Sequence, residues 1–425
     1  MTARHTTRRD VLKGATAAAL LTFPAPAISQ ATGARLVVVG GGFAGANCAR
    51  TLKKLQPRAT VTLVEANPVF TACPLANAVL ADLRTLNAQQ FDYHRIVAEG
   101  VTLIVQRAVA VDPVKRSVGL SDGRSLAYDR LVLAPGIDLR FEALPGYTPA
   151  IVDAMPHFWT DGAQVSSLHR QLTAMDDGGV VVISAPVNPA RCPPGPYERA
   201  CMIALYLKQK KPRSKVMILD SKDSFTMQRQ FQIAWKELYP GLVEWVALSQ
   251  GGNVTSIEPD TKTFVTDFDK VKADVGNVIP PQKAGAIAHV AGVADRTGWC
   301  PVDPITFESA LQPNIHVIGD AAIAGAMPKS AYAANEEGKI CAHAISQLLK
   351  SEKPGEPKLT SVCFSLLAPD YAISISGVYR PTNGQFMEIE GTGVTSPVEA
   401  PRTLRAQEAN FADAWFKTIT REIFG

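Results

Sequence analysis

Arg35-Leu36-Val37-Val38-Val39-Gly40-Gly41-Gly42-Phe43-Ala44-Gly45 is the stretch on which the fold turns. Leu36 to Val39 is apolar without alternation, as in a strand covered on both faces. The glycines behind it follow the spacing Gly40-x-Gly42-x-x-Gly45, which supplies a tight turn, close approach to a pyrophosphate and close packing of the next helix. Ala46 to Leu55 reads as that helix and Val61 to Val64 as the next strand. Glu65 stands twenty residues beyond Gly45, where a carboxylate accepts hydrogen bonds from ribose hydroxyls. Strand, helix, strand and acid in register predict a dinucleotide-binding α/β domain.

NAD fits such a turn as well as FAD, so the choice rests on later segments. Leu131-Val132-Leu133-Ala134-Pro135-Gly136 reads as a strand ending in a turn, and Ile315-His316-Val317-Ile318-Gly319-Asp320 as another. Together they resemble the later flavin segments of the glutathione-reductase-like superfamily, in which the aspartate, here Asp320, hydrogen-bonds the ribityl chain. The long gap between them is where that fold inserts a second dinucleotide domain. Met327 to Gly338 then opens a helix. Its amino end, with Lys329, is expected to face the pyrimidine side of the ring and favour a reduced, anionic flavin. A solvated surface lysine is the plainer reading of Lys329.

The second domain departs from this pattern. Val180-Val181-Val182-Ile183 looks like its first buried strand, yet no glycine follows until Gly195, and Pro186, Pro189, Pro193 and Pro194 crowd the turn. Proline removes backbone donors and fixes φ, so this turn is poorly suited to wrapping a pyrophosphate. It contains Cys192 instead. An ordinary NAD(P)H disulfide reductase would need a glycine-rich turn here and a Cys-x4-Cys pair on the first flavin-domain helix, and neither is present.

The first residues read as an address. Thr7-Arg8-Arg9-Asp10-Val11-Leu12-Lys13 precedes an apolar run from Ala15 to about Phe23 and then Pro24-Ala25-Pro26-Ala27. This is the layout of a cleavable export signal, and the paired arginines resemble the twin-arginine type. Residues 1–27 are therefore expected to be removed and the protein to be periplasmic, exported folded with its cofactor. Their loss takes the formal net charge from +4 to about +1, which argues against a nucleic-acid partner. Membrane contact is not expected.

Seven cysteines cannot all pair. Cys48 and Cys341 read as small buried hydrophobes on helices, and Cys201 and Cys300 as structural. Cys73, Cys192 and Cys363 lie in three separate segments, a placement compatible with convergence on one flavin but not required by spacing.

The whole chain beyond the export signal resembles the flavoprotein subunit of flavocytochrome c sulfide dehydrogenase. The resemblance is carried by Gly40 to Gly45, Thr71 to Asn77, Asn188 to Arg199 with its Cys-Pro-Pro-Gly-Pro-Tyr-Glu segment, Trp299 to Asp303, Cys363 and the stretch 377–425. It implies FAD held by a thioether from Cys73, a redox-active disulfide between Cys192 and Cys363, and Glu198 as a candidate base; a helix-start carboxylate is the alternative for Glu198. It also implies a small c-type cytochrome subunit as electron acceptor. No Cys-x-x-Cys-His occurs, so haem is expected only on the partner. The expected FAD contacts are Gly40, Gly42, Phe43, Ala44, Gly45, Glu65, Ala66, Cys73, Asn77, Val109, Ala134, Pro135, Gly136, Gly319, Asp320, Lys329 and Tyr332, with no metal site.

The expected fold is α/β, a glutathione-reductase-like flavoprotein with two dinucleotide-binding domains and a C-terminal α+β interface domain. The FAD domain is placed at 34–150 and 286–345, the second Rossmann-like domain at 151–285, and the interface domain at 346–425. Two other functions remain open. One is a membrane-associated sulfide:quinone oxidoreductase, for which Phe411, Trp415, Phe416, Ile419, Ile423 and Phe424 recur at roughly helical spacing; packing explains such a stripe equally. The other is a flavin-bearing accessory subunit of a sulfur-oxidation system without turnover of its own.

Overall fold

The computed structural model describes residues 33–159 and 162–425; the expected export signal at 1–27 lies outside the described residues. The opening stretch forms β1 (Arg35–Val39), α1 (Phe43–Leu55) and β2 (Thr60–Glu65). After these come β3 (Thr102–Val105), β4 (Arg130–Leu133), β5 (Val180–Ala185), α2 (Gly195–Lys210), β6 (Lys215–Asp220), β7 (Val243–Val246), β8 (Val275–Val278), β9 (Ile315–Val317) and α3 (Ala331–Leu348). The chain closes with β10 (Leu359–Ala368), β11 (Tyr371–Thr382), β12 (Gln385–Glu388) and α4 (Arg402–Ile423).

β9, β4, β1, β2 and β3 make a parallel sheet in that order. Val38 lies opposite Leu63 on one side and Val132 on the other, and all three are buried. The unbroken apolar runs are thus explained by cover on both faces. A second parallel sheet has the order β7, β6, β5, β8. β10, β11 and β12 form an antiparallel meander. Carboxyl ends of parallel strands are where such folds bind ligands.

Two glycines of the first turn are required by the protein itself. Gly40 has φ +100° and an added Cβ would lie 2.2 Å from the carbonyl oxygen of Ala134; at Gly45 it would lie 1.9 Å from that of Gly40. Gly42 differs, because the nearest atom to its Cβ would be in the Phe70 ring at 3.5 Å. The fold therefore leaves room at Gly42, as expected where a bound group rather than the chain makes the close approach.

The apolar stripe of α4 belongs to the core. Phe416, Ile419, Ile423 and Phe424 are buried, Trp415 is half-buried between Tyr332 and Phe364, and Phe411 is exposed. Among the described residues no helix is long and apolar enough to cross a membrane.

Candidate active site: a flavin cleft ending at two thiols

The cavity begins at the turn between β1 and α1. Gly40, Gly42, Phe43 and Ala44 line it, together with Ala134, Pro135 and Gly136 after β4 and Gly319 and Asp320 after β9. Glu65 at the end of β2 also lines it. Its carboxylate accepts hydrogen bonds from the backbone N–H of Gly41 (2.6 Å) and of Asn67 (3.0 Å), which fix its direction. Asp320 Oδ1 is buried with no hydrogen-bond partner among the described residues, and burial raises the carboxyl's pKa. An orphaned buried acceptor on a cavity wall is what a ribityl hydroxyl would satisfy. The residues present fit FAD.

Further along, the cavity meets Cys73, Asn77 and Cys192. Cys73 opens onto the cavity yet is surrounded by protein, and burial pushes its thiol up to about 12. Cys192 has φ +52°, an uncommon conformation for a side-chain-bearing residue. It is secured by its N–H, which donates to the carbonyl of Lys329 (2.9 Å), and by its carbonyl, which accepts from Gly195 (2.8 Å). Cys363 on β10 faces it. Both cysteines are free thiols, and the contact between them, with burial, raises the Cys192 pKa well above its ordinary value.

Glu198 is on the first turn of α2, buried beside the thiols. Asn77 Nδ2 donates to its Oε1 (3.2 Å), and burial lifts its carboxyl to about 7. Such a group exchanges a proton near neutrality.

Five expected FAD contacts lie outside the cavity lining. Gly45 is behind the turn and Ala66 follows Glu65, while Val109 is on an edge strand, 47% exposed. Lys329 is neither a surface lysine nor a cavity residue. Its Nζ donates to the carbonyls of Asp320 and Ala322 (2.7 Å each) and lies 4.1 Å from the Trp299 ring centre, so it braces the Asp320 turn. Tyr332 stacks on Trp415. The sequence reading missed Phe158, Trp159, Arg191 and Arg199, which do line the cavity. A signal for Arg199 existed: Glu198-Arg199 heads an eight-residue apolar run, Ala200 to Leu207, so the pair belongs to a helix buried all round.

In the second domain the acid at the end of β6 is withdrawn from solvent. Asp220, at the end of β6 where an acid would take a ribose, is fully buried. It accepts from Tyr197 Oη (2.5 Å), Trp245 Nε1 (3.0 Å) and Lys222 Nζ (2.6 Å), and the Tyr197 ring stacks on Phe225 at 3.6 Å. Side chains thus take up the carboxylate that a nucleotide ribose would need.

Comparison with known proteins agrees with this geometry. Residues 165–280 match the model for the sulfide dehydrogenase (flavocytochrome c) flavoprotein chain, central. Residues 355–424 match that for flavocytochrome c sulphide dehydrogenase, flavin-binding, and residues 34–182 that for pyridine nucleotide-disulphide oxidoreductase. A sulfide dehydrogenase (flavocytochrome c) flavoprotein chain of Chlorobaculum thiosulfatiphilum is 58% identical over 45 residues, 11% of this chain and 94% of that one. The chain belongs to the family of flavocytochrome c sulfide dehydrogenase flavoprotein chains.

As a sulfide dehydrogenase flavoprotein it is an FAD oxidoreductase that acts on sulfide. The fold with two dinucleotide-binding domains extends across relatives. The mitochondrial sulfide:quinone oxidoreductase of Mus musculus is 22% identical over 330 residues, 75% of this chain and 72% of that one. The X-ray structure of the sulfide:quinone oxidoreductase from Aquifex aeolicus superposes with a TM-score of 0.69 at 18% identity, covering 92% of each chain.

Proposed function

We propose that the chain oxidises sulfide through a redox-active Cys192–Cys363 disulfide and passes the electrons, by way of FAD attached at Cys73, to a c-type cytochrome subunit in the periplasm. The observation that carries this reading is the meeting of Cys192, Cys363 and the near-neutral Glu198 at one end of the FAD cleft.

In the oxidised pair, hydrosulfide attacks one sulfur. The new S–S bond makes a persulfide, the Cys192–Cys363 bond breaks, and the other cysteine leaves as thiolate. Glu198 takes the proton that the incoming sulfide carries. A second hydrosulfide removes the outer sulfur, so that two hydrosulfides give one disulfide anion and a reduced cysteine pair. When bound, FAD would take the two electrons that restore the cysteine disulfide and release them singly to a haem partner. Lys329 and the Asp320 turn hold the cleft wall while this happens, and the withdrawal of Asp220 keeps nicotinamide nucleotides from competing.

Cys192→Ser should abolish bleaching of the flavin by sulfide; undiminished bleaching would sink the role of the disulfide. A quinone as acceptor is the second reading, favoured by the likeness to sulfide:quinone oxidoreductases over three quarters of the chain. Steady-state assays with cytochrome c and with a soluble quinone analogue separate the two.

A further inference from the structure

Among the described residues the Arg199 guanidinium makes no ion pair; the acids near enough to act on it are the Glu198 carboxyl and the Cys192 thiol. Arg199 is 3% exposed, and four hydrogen bonds hold its guanidinium. Nε donates to Asn77 Oδ1 (3.2 Å), Nη1 to Asn277 Oδ1 (2.7 Å) and the carbonyl of His157 (3.0 Å), and Nη2 to the carbonyl of Phe158 (2.9 Å). Each of these acceptors is neutral. The rings of Phe158 and Trp159 flank the cation at 4.2 and 4.9 Å. Burying a guanidinium with no carboxylate bonded to it is costly, and burial pulls its pKa down to about 9 against the opposing pull of Cys192 and Glu198. The cation still persists at neutral pH.

The reacting sulfur lies on the same wall. A Cβ placed on Gly195 would meet the Trp159 ring at 2.9 Å and Cys192 Sγ at 3.4 Å. Asn77 ties this point to Arg199, its Nδ2 reaching the carbonyl of Gly195 (3.4 Å) while its Oδ1 accepts from the guanidinium. One more feature points to a missing ligand: Trp159 Nε1, on the cavity wall and buried, has no hydrogen-bond partner among the described residues.

We infer that Arg199 is a positioning residue that draws the substrate to Cys192 as an anion, hydrosulfide, rather than as neutral hydrogen sulfide. The inference rests on the sulfide reading and specifies its substrate form. At 3% exposure the guanidinium's charge is weakly screened. The guanidinium therefore favours entry of the anion and holds the negative charge as it moves from substrate to the departing thiolate. Arg191, also on the cavity wall, adds a second positive charge.

The test compares two alkylating agents of similar shape on the dithiothreitol-reduced holoprotein, anionic iodoacetate and neutral iodoacetamide, with modification at Cys192 followed by peptide mapping. A change in thiol pKa moves both rates together, so their ratio reports local charge. Arg199→Met should lower the iodoacetate-to-iodoacetamide ratio by about tenfold or more, and Arg199→Lys should restore most of it. An unchanged ratio in Arg199→Met overturns the inference. If that variant does not fold, Asn277→Asp places a carboxylate against the guanidinium and should lower the ratio similarly; an unchanged ratio there is equally fatal. Sulfide bleaching separates the two claims. Failure of wild-type protein to bleach defeats the sulfide reading while leaving the ratio to judge Arg199. Bleaching of Arg199→Met with unaltered sulfide dependence defeats Arg199 alone.

Discussion

Glu198 shows how burial turns a residue into a pH-dependent element. Its carboxyl is near 7 in the folded protein against 4.5 for the free side chain, so the native state binds the proton more tightly. That preference stabilises the fold fully below about pH 4.5 and is lost as pH rises through 7. The loss amounts to about 3 kcal/mol. Glu198→Gln keeps a neutral side chain at all pH values. Denaturant titrations should find it gaining on the parent by about that amount between pH 4.5 and 8, and parallel pH profiles would refute the burial argument. Its sulfide-driven bleaching should also slow by roughly a hundredfold if the carboxylate is the base. Glu198 was reached through the family resemblance, while its position alone left a helix-start carboxylate equally open. For its neighbour Arg199 the signal was the apolar run Ala200 to Leu207 that it heads, which marks a buried helix; that its guanidinium lines the cavity depends on tertiary packing.

Turns explain what the strands and helices alone do not. The β1–α1 turn was fully legible: an apolar run, three spaced glycines and a distant acid determine one another through backbone geometry. The three glycines nevertheless predict different mutants. Gly45→Ala drives a Cβ into the Gly40 carbonyl and should destabilise the protein by roughly 1–3 kcal/mol or more, read as a lowered melting temperature. Gly42→Ala meets nothing closer than 3.5 Å, so it should fold and melt much like the parent but retain little FAD, read as flavin absorbance per protein. Normal flavin content in Gly42→Ala would show that the pyrophosphate does not approach there. The β5–α2 turn was legible only as an absence of glycine. That Tyr197, Trp245 and Lys222 would converge on Asp220 depends on contacts across the second sheet, which local sequence does not encode. NADH at concentrations that saturate ordinary reductases should leave the flavin oxidised.

The chain as a whole gathers its chemistry from distant segments. Cys73 follows β2, Cys192 precedes α2 and Cys363 lies on β10, yet Cys73 and Cys192 share one cavity and Cys363 faces Cys192. Spacing could not require this; the two parallel sheets and the terminal meander achieve it by packing. Cys73 itself is an unpromising nucleophile, because burial holds its thiol near 12, and thiolates rather than thiols react. Reaction there needs an electrophile delivered to the sulfur, which is what a flavin ring methyl laid along the cleft would be. Forming the C–S bond would take one hydrogen each from the thiol and the methyl; the flavin ring would accept the two electrons and two protons and pass them to its electron acceptor on reoxidation, so attachment adds the mass of FAD less two hydrogens. Denaturing mass analysis of the purified holoprotein should show that increment, and peptide mapping should locate it on the fragment containing Cys73. Cys73→Ser should then release its flavin on denaturation while still binding it when folded, because the glycine turn and Asp320 remain. Recovery of unmodified protein from the parent chain, with all flavin in the supernatant, would make Cys73 a wall residue and leave retention of FAD to noncovalent contacts alone.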